Sequence, residues 1–363
     1  MTEERTRQVY TRGSAVGAVP EEDKSGMKFS VGFGRHLRMD QVADHARAAD
    51  DCGFEQMTII DSQNLSRDVY VQLTVAALNT KRIRMAPGVT NPFTRHPTVT
   101  ANAIASLNEL SGGRAFIGLG AGLSSLWTMG VKTQPLKDVR AMVAFLREYM
   151  SGREAEYKGA KIHSEWVRQP VPIYIGSGGP KSLHQAGEIA DGVICTGARP
   201  ELVKWRIDHV KKAAQEAGRD ASAIDFWARI IVYVTDGRKE DALPETGHYA
   251  TQAGYGVLNE PQFEDLRRKI EEEEPGILDE FKAVAEAYEP YAHEAKGARH
   301  GQYATQRVVD FYHLVGSSSE IVERIHQLRD CGVTNVSCVL YTLHDKIGMM
   351  RKISDQVMPH FTS

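Results

Sequence analysis

The sequence predicts an α/β protein with a (β/α)8 TIM barrel, because eight strand-like segments are each followed by a helix-like segment. Most of these strands are short and apolar throughout, which is typical of a parallel sheet covered by helices on both faces. Glycine clusters or polar residues follow several of the strands. Eight steps favour a closed barrel over an open doubly wound sheet, which usually has fewer strands.

The strands are predicted where short apolar runs stop at a glycine, a proline or a polar residue. In chain order they are 28–33, 56–60, 83–86, 114–119, 172–175, 192–195, 226–234 and 336–340. The helices after them are predicted at 39–52, 69–79, 98–110, 135–150, 181–190, 201–217, 318–329 and 345–358. The first helix has alanine-rich spacing, and the fifth follows Pro180, at a position that proline favours.

Two segments depart from this rhythm. Residues 1–26 are polar and patternless, which predicts an N-terminal arm that is extended or disordered. The barrel domain is predicted to run from 27 to 363. Within it, about 236–307 forms an insertion between the seventh and eighth strands, with charged helices near 263–273 and 278–293. We expect this insertion to cover the pocket at one edge of the barrel.

The composition is that of an ordinary globular protein, with 363 residues, 42% apolar and 25% charged. A net charge of −3 gives no reason to expect nucleic acid or an anionic membrane as a partner. No apolar run approaches membrane-spanning length, and the first residues lack the apolar core of a secretory signal. We therefore expect a cytoplasmic protein.

The cysteines are scattered and form no CxxC pair, so no metal centre is predicted. We expect small core residues in a reducing cytoplasm. They are Cys52, Cys195, Cys331 and Cys338.

The segment from Gly88 to Pro97 joins the third strand to its helix. In a βα barrel such loops lie on the face where active sites are built. Its glycine and its two prolines, Pro92 and Pro97, predict a fixed backbone shape. For an isolated loop of this composition, an ordinary tight connection is the alternative.

Glycine clusters also follow the fourth strand, at 118–122, and the fifth strand, at 176–180. The first cluster alone is weak evidence, because a tight turn would need the same residues. In the second, glycines let backbone N–H groups approach an anion, and the following helix N-terminus adds a favourable dipole. Ser177 adds a hydroxyl donor, and Thr196-Gly197 follows the next strand. The sequence therefore predicts a phosphate site here, with a plain βα turn as the alternative.

Other side chains at strand ends are candidates for chemistry. Asp61 directly follows the second strand and could act as an acid or base, or cap the following helix. Arg95 could pair with an anion or with a structural carboxylate. Phe33, Phe93 and Trp127 could flank a flat ring, although core packing is the commoner role of aromatic residues. The sequence has no HExxH or GxSxG motif, so metal-dependent hydrolysis and acyl-enzyme chemistry have little support.

Several segments occur in an order that resembles a known family. They are 27–29, 48–54, 78–80, 88–95, 110–114, 118–122, 173–176, 179–180 and 186–193. The sequence resembles the bacterial luciferase-like flavin and deazaflavin oxidoreductases. Within that family it is most similar to the methylenetetrahydromethanopterin reductases, which use the deazaflavin coenzyme F420.

The resemblance implies a (β/α)8 barrel with a mobile insertion, often a homodimer, and a flavin-type ring at the C-terminal mouth. It also implies a non-prolyl cis peptide at Gly88-Val89, forming a bulge behind the ring. The cofactor contacts that it implies fall in three groups. They are Gly88, Val89, Thr90 and Asn91 beside the ring, Gly120 and Gly122 near the ribityl chain, and Gly176, Ser177, Gly178, Gly179, Thr196 and Gly197 at the phosphate.

The chain departs from those reductases at two positions. Their first strand ends near a glutamate, where this chain has Gly32. Their second strand ends in Asp-His, where this chain has Asp61-Ser62. The methanopterin substrate is therefore not carried over, whereas Asp61 remains the candidate for proton handling.

Two mechanisms with a small-molecule substrate remain open. An F420 enzyme would move hydride between the cofactor and the substrate, and the opening loop favours this mechanism slightly. An FMN enzyme would use O2 and reduced flavin supplied by a partner flavin reductase. A non-catalytic flavin-binding protein is the alternative from another class. A sugar-phosphate enzyme has less support, because no catalytic lysine or paired carboxylates stand at strand ends.

Overall fold

A computed structural model of the chain describes residues 26–249 and 261–361. The predicted N-terminal arm, 1–26, lies outside the described residues except for Gly26. The strands are β1 (Lys28–Phe33), β2 (Gln56–Ile59), β3 (Arg84–Pro87), β4 (Ile117–Leu119), β5 (Ala155–Tyr157), β6 (Ala160–Ile162), β7 (Ile173–Gly176), β8 (Gly192–Thr196), β9 (Asp225–Ile230), β10 (Val232–Val234), β11 (Leu314–Gly316) and β12 (Asn335–Val339).

Helices follow the strands and cover the outside of the sheet. They are α1 (Val42–Asp51), α2 (Val69–Leu78), α3 (Pro97–Ser111), α4 (Ser124–Trp127), α5 (Leu136–Met150), α6 (Pro180–Ile189), α7 (Pro200–Glu216), α8 (Leu243–Thr246), α9 (Glu264–Glu273), α10 (Ile277–Glu286), α11 (Gln306–Tyr312), α12 (Ser318–Asp330) and α13 (Lys346–Gln356). Among the described residues, no helix has both the length and the apolar character needed to cross a membrane.

Eight of the strands form one parallel sheet in the order β3-β2-β1-β12-β9-β8-β7-β4. In its centre, Val31 of β1 pairs with Met57 of β2 on one side and with Cys338 of β12 on the other. The two edges meet at a parallel bridge between Met85 and Ala115. There the Met85 N–H donates to the Arg114 carbonyl at 2.9 Å. The sheet is thus a barrel of the predicted (β/α)8 type, and the fold prediction is confirmed.

The helix ends are defined by local side-chain chemistry. Helix α3 begins after His96, whose Nδ1 accepts from the Thr98 N–H, and Pro97 occupies its first position. It ends at Gly112, whose φ of 71° lies in the left-handed region that favours glycine. Helix α2 begins after Asp68, whose carboxylate accepts from the Tyr70 N–H. These signals explain why the predicted and observed boundaries of α2 and α3 agree within one residue.

The predicted seventh strand, 226–234, was wrong as a single element. The chain leaves the barrel at Ile231, whose N–H donates to Nδ1 of His313 at 3.2 Å. Strand β10 then pairs in parallel with β11 in a separate two-stranded sheet. The apolar run stays buried on both sides of the break, so its hydrophobicity did not reveal the change of partner.

The predicted helix at 278–293 was also too long. Helix α10 ends at Glu286, and a short 3-10 turn occupies Pro290–Ala292. A proline disfavours the helical conformation of the residue before it, here Glu289. His293 therefore lies in a loop, not on a helix.

The helices between β10 and β11 have an apolar cluster of their own, which includes Phe263, Phe281 and Val308. This cluster also contains Leu202 of α7, and Trp205 of that helix packs against it. The helices are thereby attached to the outside of the barrel. Inside the barrel, below the mouth, a second cluster is formed by Ala86, Phe116, Tyr174, Ile194 and Trp227.

Candidate functional site

The C-terminal mouth of the barrel contains a cavity of about 770 Å³. Cavities of roughly 300–1,000 Å³ are usual for small-molecule and cofactor sites. Its walls come from the loops after several strands and from the segment around residues 288–294. The predicted site residues that line it are Gly88, Val89, Gly120, Gly122, Gly176, Ser177, Gly178, Gly179 and Thr196.

The loop after β3 forms a bulge at the floor of this cavity. The Gly88-Val89 peptide bond is cis, as the resemblance implied. The Gly88 N–H donates to the Ile59 carbonyl at 2.8 Å, and the Thr90 N–H donates to the Gly118 carbonyl at 2.9 Å. Val89 packs on the aromatic cluster inside the barrel. The bulge is therefore held by both neighbouring strands.

The glycines around the bulge make room for the Val89 side chain. A Cβ at Gly120 would lie 2.9 Å from Cγ2 of Val89, and a Cβ at Gly118 would lie 3.2 Å from its Cγ1. A Cβ at Gly88 would collide with the Thr58 side chain. Close packing therefore requires these glycines, whether or not they also contact a ligand.

One end of the cavity has the features of an anion cradle. Gly176 to Gly179 lead into the N-terminus of α6, and open space surrounds the position of a Cβ at Gly178. Ser177 Oγ donates to Ser182 Oγ at 2.6 Å, and Ser182 Oγ donates to the Gly179 carbonyl at 2.9 Å. Backbone N–H groups at a helix N-terminus favour a negative group, so this end fits a phosphate.

Arg206 adds positive charge to the same end. It is 3% exposed, lines the cavity, and donates from Nη1 to the Thr196 carbonyl. Its Nε has no hydrogen-bond partner among the described residues. A buried donor without a partner is costly, and an anionic ligand would satisfy it. The residues present therefore fit a phosphorylated cofactor.

Asp61 is buried, but it is not among the residues that line the cavity. Its Oδ2 accepts from Thr90 Oγ1 at 2.7 Å and from Arg95 Nη1 at 2.6 Å, and its Oδ1 accepts from Gln63 Nε2 at 2.7 Å. Burial lowers the pKa of Arg95, but its interactions with Asp61, Tyr70 and Asp68 together raise that pKa above its ordinary value. The geometry gives Asp61 the role of holding the loop after β3, and its proton-handling role stays a prediction.

Three other predicted contacts lie behind the cavity surface. Thr90 is bonded to Asp61, and Asn91 Oδ1 accepts from the N–H groups of Phe93 and Thr94 at 3.0 Å each. A Cβ at Gly197 would lie 3.6 Å from Arg206 Nη1. These residues support the lining instead of forming it.

Of the three aromatic candidates, only Trp127 lines the cavity. Phe33 is fully buried in the core beside His45, with the two ring planes nearly perpendicular. Phe93 is 47% exposed to solvent. The alternative of core packing therefore holds for Phe33.

Sequence reasoning missed Arg229, which lies on β9 and lines the cavity. Its Nη2 donates to the Gly88 carbonyl at 3.0 Å, and its guanidinium lies 5.4 Å from the centre of the Tyr341 ring. A charged residue inside the apolar run from Phe226 to Val234 was the signal that would have marked it.

Sequence reasoning also missed four residues that the segment between β10 and β11 brings to the cavity: Tyr249, Tyr288, His293 and Glu294. The Tyr288 hydroxyl lies 3.0 Å from Nδ1 of His293, and Nε2 of His293 lies 3.3 Å from Oε1 of Glu294. His293 and Glu294 are both buried. No sequence motif marks them, because the alternation of strands and helices that predicts the barrel does not extend into this segment.

The loop after β1 fixes this segment in place. Arg35 Nη1 donates at 2.9 Å to the carbonyls of Tyr291 and His293. Nε2 of His36 lies 2.8 Å from the Glu294 carbonyl, and because a carbonyl can only accept, Nε2 carries the proton. Burial lowers the pKa of His36, which favours its neutral form.

Comparison with known proteins assigns the chain to a family. Residues 22–335 match the model of the family described as luciferase-like monooxygenase. The chain belongs to this family. Because the family is described as a monooxygenase family and relatives of the chain are named reductases and dehydrogenases, the prediction of a luciferase-like oxidoreductase is confirmed.

Several relatives of this luciferase-like chain are reductases. The 5,10-methylenetetrahydromethanopterin reductase of Methanolobus tindarius is 32% identical over 317 residues, covering 85% of this chain and 93% of the relative. That of Archaeoglobus fulgidus is 29% identical and covers 92% and 99%. The structure of the coenzyme F420-dependent tetrahydromethanopterin reductase from Methanopyrus kandleri has a TM-score of 0.76 at 26% identity, covering 93% of this chain and 100% of that chain.

A more distant solved structure shares the fold alone. The oxygenating constituent of 3,6-diketocamphane monooxygenase from Pseudomonas putida, in complex with FMN, has a TM-score of 0.65 at 20% identity, covering 93% of this chain and 99% of that chain. The predicted cofactors, F420 and FMN, therefore both occur among proteins similar to this chain.

Of the two departures from the reductases, Ser62 lines the cavity of this luciferase-like chain, whereas Gly32 does not and lies beside Tyr341, which does. A Cβ at Gly32 would lie 3.4 Å from Cε1 of Tyr341, so Tyr341 fills the space beside the strand end. Ser62 lines the cavity next to Ile60. Ser62 and Tyr341 therefore form part of the cavity wall at these two positions.

Proposed function

We propose that this chain catalyses hydride transfer between coenzyme F420 and a small organic substrate at the barrel mouth. The observation that carries the proposal is the bulge at Val89, which is bonded to both neighbouring strands and forms the floor of a cavity with a cationic cradle at one end. Two relatives similar to this chain are named reductases, and one solved relative is described as F420-dependent.

In this proposal, the site residues hold the cofactor in three places. Val89 supports the ring from below, with Gly88, Thr90 and Asn91 shaping the bulge. Gly120 and Gly122 leave room for the sugar-like chain. The phosphate lies against Gly176, Ser177, Gly178 and Gly179, with Thr196, Gly197 and Arg206 on the opposite side. When bound, F420 supplies a ring carbon that carries hydride, and the protein positions the substrate against it.

Equilibrium titration followed by fluorescence tests the proposal. We expect F420 to bind at least tenfold more tightly than FMN, and reduced F420 to be oxidised by members of a panel of imines, N-heterocycles and ketones. Tighter binding of FMN, with O2 consumption when a flavin reductase supplies reduced flavin, would favour the monooxygenase alternative. Binding of F420 without turnover of any substrate would favour a flavin-binding protein, and binding of neither cofactor would contradict the proposal.

We also propose that the protein forms a homodimer through helices α2 and α3. These adjacent helices carry Val71, Leu78, Val99 and Leu110, all at least 46% exposed. Exposed apolar groups on neighbouring helices are typical of an interface. Light scattering should give a mass of about twice 40.2 kDa. A Leu78→Glu/Leu110→Glu variant should be monomeric, whereas Trp166→Glu, which changes an exposed residue elsewhere, should not alter the mass.

The domain boundaries and the cellular location of the protein are also proposals. We propose one barrel domain, 27–363, with the insertion at about 236–307 closing one side of the cavity. All four cysteines are free thiols, which suits the proposed reducing cytoplasm.

A further inference from the structure

We propose that Glu294, whose carboxylate contacts His293, itself hydrogen-bonded to Tyr288, supplies the proton that accompanies hydride transfer at this site. The inference rests on the proposed function and deepens it, because it names the acid–base group and the substrate class. The group comes from the segment between β10 and β11, not from a barrel strand.

The Glu294 carboxylate is buried but incompletely bonded. Its side chain is 4% exposed and lines the cavity, and its Oε2 has no hydrogen-bond partner among the described residues. Burying a carboxylate oxygen without a donor is costly, so a ligand with a donor or a basic atom is the expected partner. The backbone of Glu294 has a φ of 60°, an uncommon conformation outside glycine that clusters at ligand sites.

The three side chains form a continuous path for a proton. The Tyr288 hydroxyl lies 3.0 Å from Nδ1 of His293. On the other side of the ring, Nε2 lies 3.3 Å from Oε1 of Glu294. Imidazole can accept a proton at one nitrogen and release it from the other. Glu294 can therefore be reprotonated through His293 without moving out of the cavity wall.

The barrel has space for the Glu294 carboxylate beside Gly34. A Cβ at Gly34 would lie 2.5 Å from Oε2 of Glu294 and 2.7 Å from Cγ of Tyr341, so only glycine fits there. Arg35 and His36 bond the backbone of the same segment. Glu294 thus lies close to Gly34, the first residue after β1.

This arrangement suits a substrate with a C=N or C=O bond. Its carbon gains a hydride, with both electrons, from the reduced cofactor, and its heteroatom gains a proton from Glu294. The reduced cofactor loses one proton to solvent in addition to the hydride. Another proton from solvent returns to Glu294 through His293. The substrate is reduced by two electrons, the cofactor is oxidised by two, and no other reactant is needed.

The test compares Glu294→Gln with Glu289→Gln, which makes the same change at an exposed carboxylate of the same segment. The probe is F420 itself, first in a binding titration. We expect both variants to bind F420 within threefold of the unmodified protein. Failure of the unmodified protein to bind F420 would overturn the proposed function, and this inference with it.

Ring ¹⁵N resonances of the histidines give a readout that does not depend on turnover, with His293 assigned from a His293→Asn variant. Saturating F420 should shift the His293 signals in the unmodified protein and in Glu289→Gln, and this shift should be lost in Glu294→Gln. With reduced F420 and the substrate panel, Glu294→Gln should slow hydride transfer at least 100-fold, as expected for loss of a general acid. If F420 binds but the His293 signals do not move, or if the rate stays within threefold, the inference is wrong.

Discussion

Val89 shapes the cavity floor, and the residues that surround it are constrained by its side chain. Cγ2 of Val89 would lie 2.9 Å from a Cβ at Gly120 and 3.6 Å from one at Gly176. The sequence marks these glycines as unusual, but it cannot show that a side chain 31 or 87 positions away requires them. The cofactor loop was therefore predictable as a motif, whereas its packing partners were not.

Gly120→Ala should disturb this floor without unfolding the barrel. Overpacking by one methyl group typically costs about 1–3 kcal/mol, here through displacement of Val89. We expect the F420 dissociation constant to rise about tenfold, which corresponds to about 1.4 kcal/mol. Gly237→Ala is the control, because its added Cβ would meet its neighbours at no less than 3.6 Å. Equal F420 affinity in both variants would contradict this account of the bulge.

Asp61→Asn tests whether Asp61 positions the loop after β3 or handles protons. Its side chain is 2% exposed and that of Arg95 is 15% exposed. Removing one partner of a buried pair typically costs about 3–5 kcal/mol, so urea unfolding should show a large loss of stability. The double variant Asp61→Asn/Arg95→Gln should recover part of that loss. A normally stable Asp61→Asn protein with no turnover would instead support the proton-handling role.

At the scale of elements, predictions succeeded where caps and turns act locally. The helix α12 has a capping box, in which Ser317 Oγ accepts from the Glu320 N–H and the Glu320 carboxylate accepts from the Ser317 N–H at 2.8 Å. Predictions failed where the partner is distant, as in the break after Ile230, which depends on His313. Hydrophobic pattern alone does not show which strand a buried segment pairs with.

Ser317→Ala should lower the free energy of unfolding by about 1 kcal/mol, because it removes the acceptor at the N-terminus of α12. Ser318→Ala changes the neighbouring residue, the first of the helix, and should change stability by less than about 0.5 kcal/mol. Denaturant unfolding of both variants measures the difference. Equal stabilities would show that the cap contributes little.

For the molecule as a whole, the sequence was enough to predict the barrel but not the full candidate site. The strand-and-helix rhythm predicts the barrel because each βα unit is local. Glu294 and Gly34 are 260 positions apart in the sequence, and they come together only when the chain folds. The part of the cavity wall formed by Tyr288, His293 and Glu294 therefore depends on tertiary contacts that no local sequence pattern shows.

The folded molecule also buries histidines, which gives its stability a pH dependence. Burial lowers the pKa of His313 to about 3, and burial lowers the pKa of His248 and His300 as well. The unfolded chain therefore takes up protons below about pH 6.5 that the folded chain does not. For His313 alone, stability should fall by roughly 1.4 kcal/mol per pH unit as the pH drops from 6.5 towards 3.

His313→Asn keeps an acceptor for the Ile231 N–H but removes the titrating ring. Its unfolding free energy, measured in urea between pH 7.5 and 5, should fall less steeply with decreasing pH than that of the unmodified protein. The slope should not vanish, because His248 and His300 remain. An unchanged slope would show that His313 does not titrate in this way.

The most direct test of the central claim is a crystal structure of the chain with F420 bound. We expect the flat ring to lie on Val89, with the phosphate between Ser177 and Arg206 and with Glu294 facing the ring region. A ring bound elsewhere, or a phosphate away from Gly176 to Gly179, would contradict the central claim.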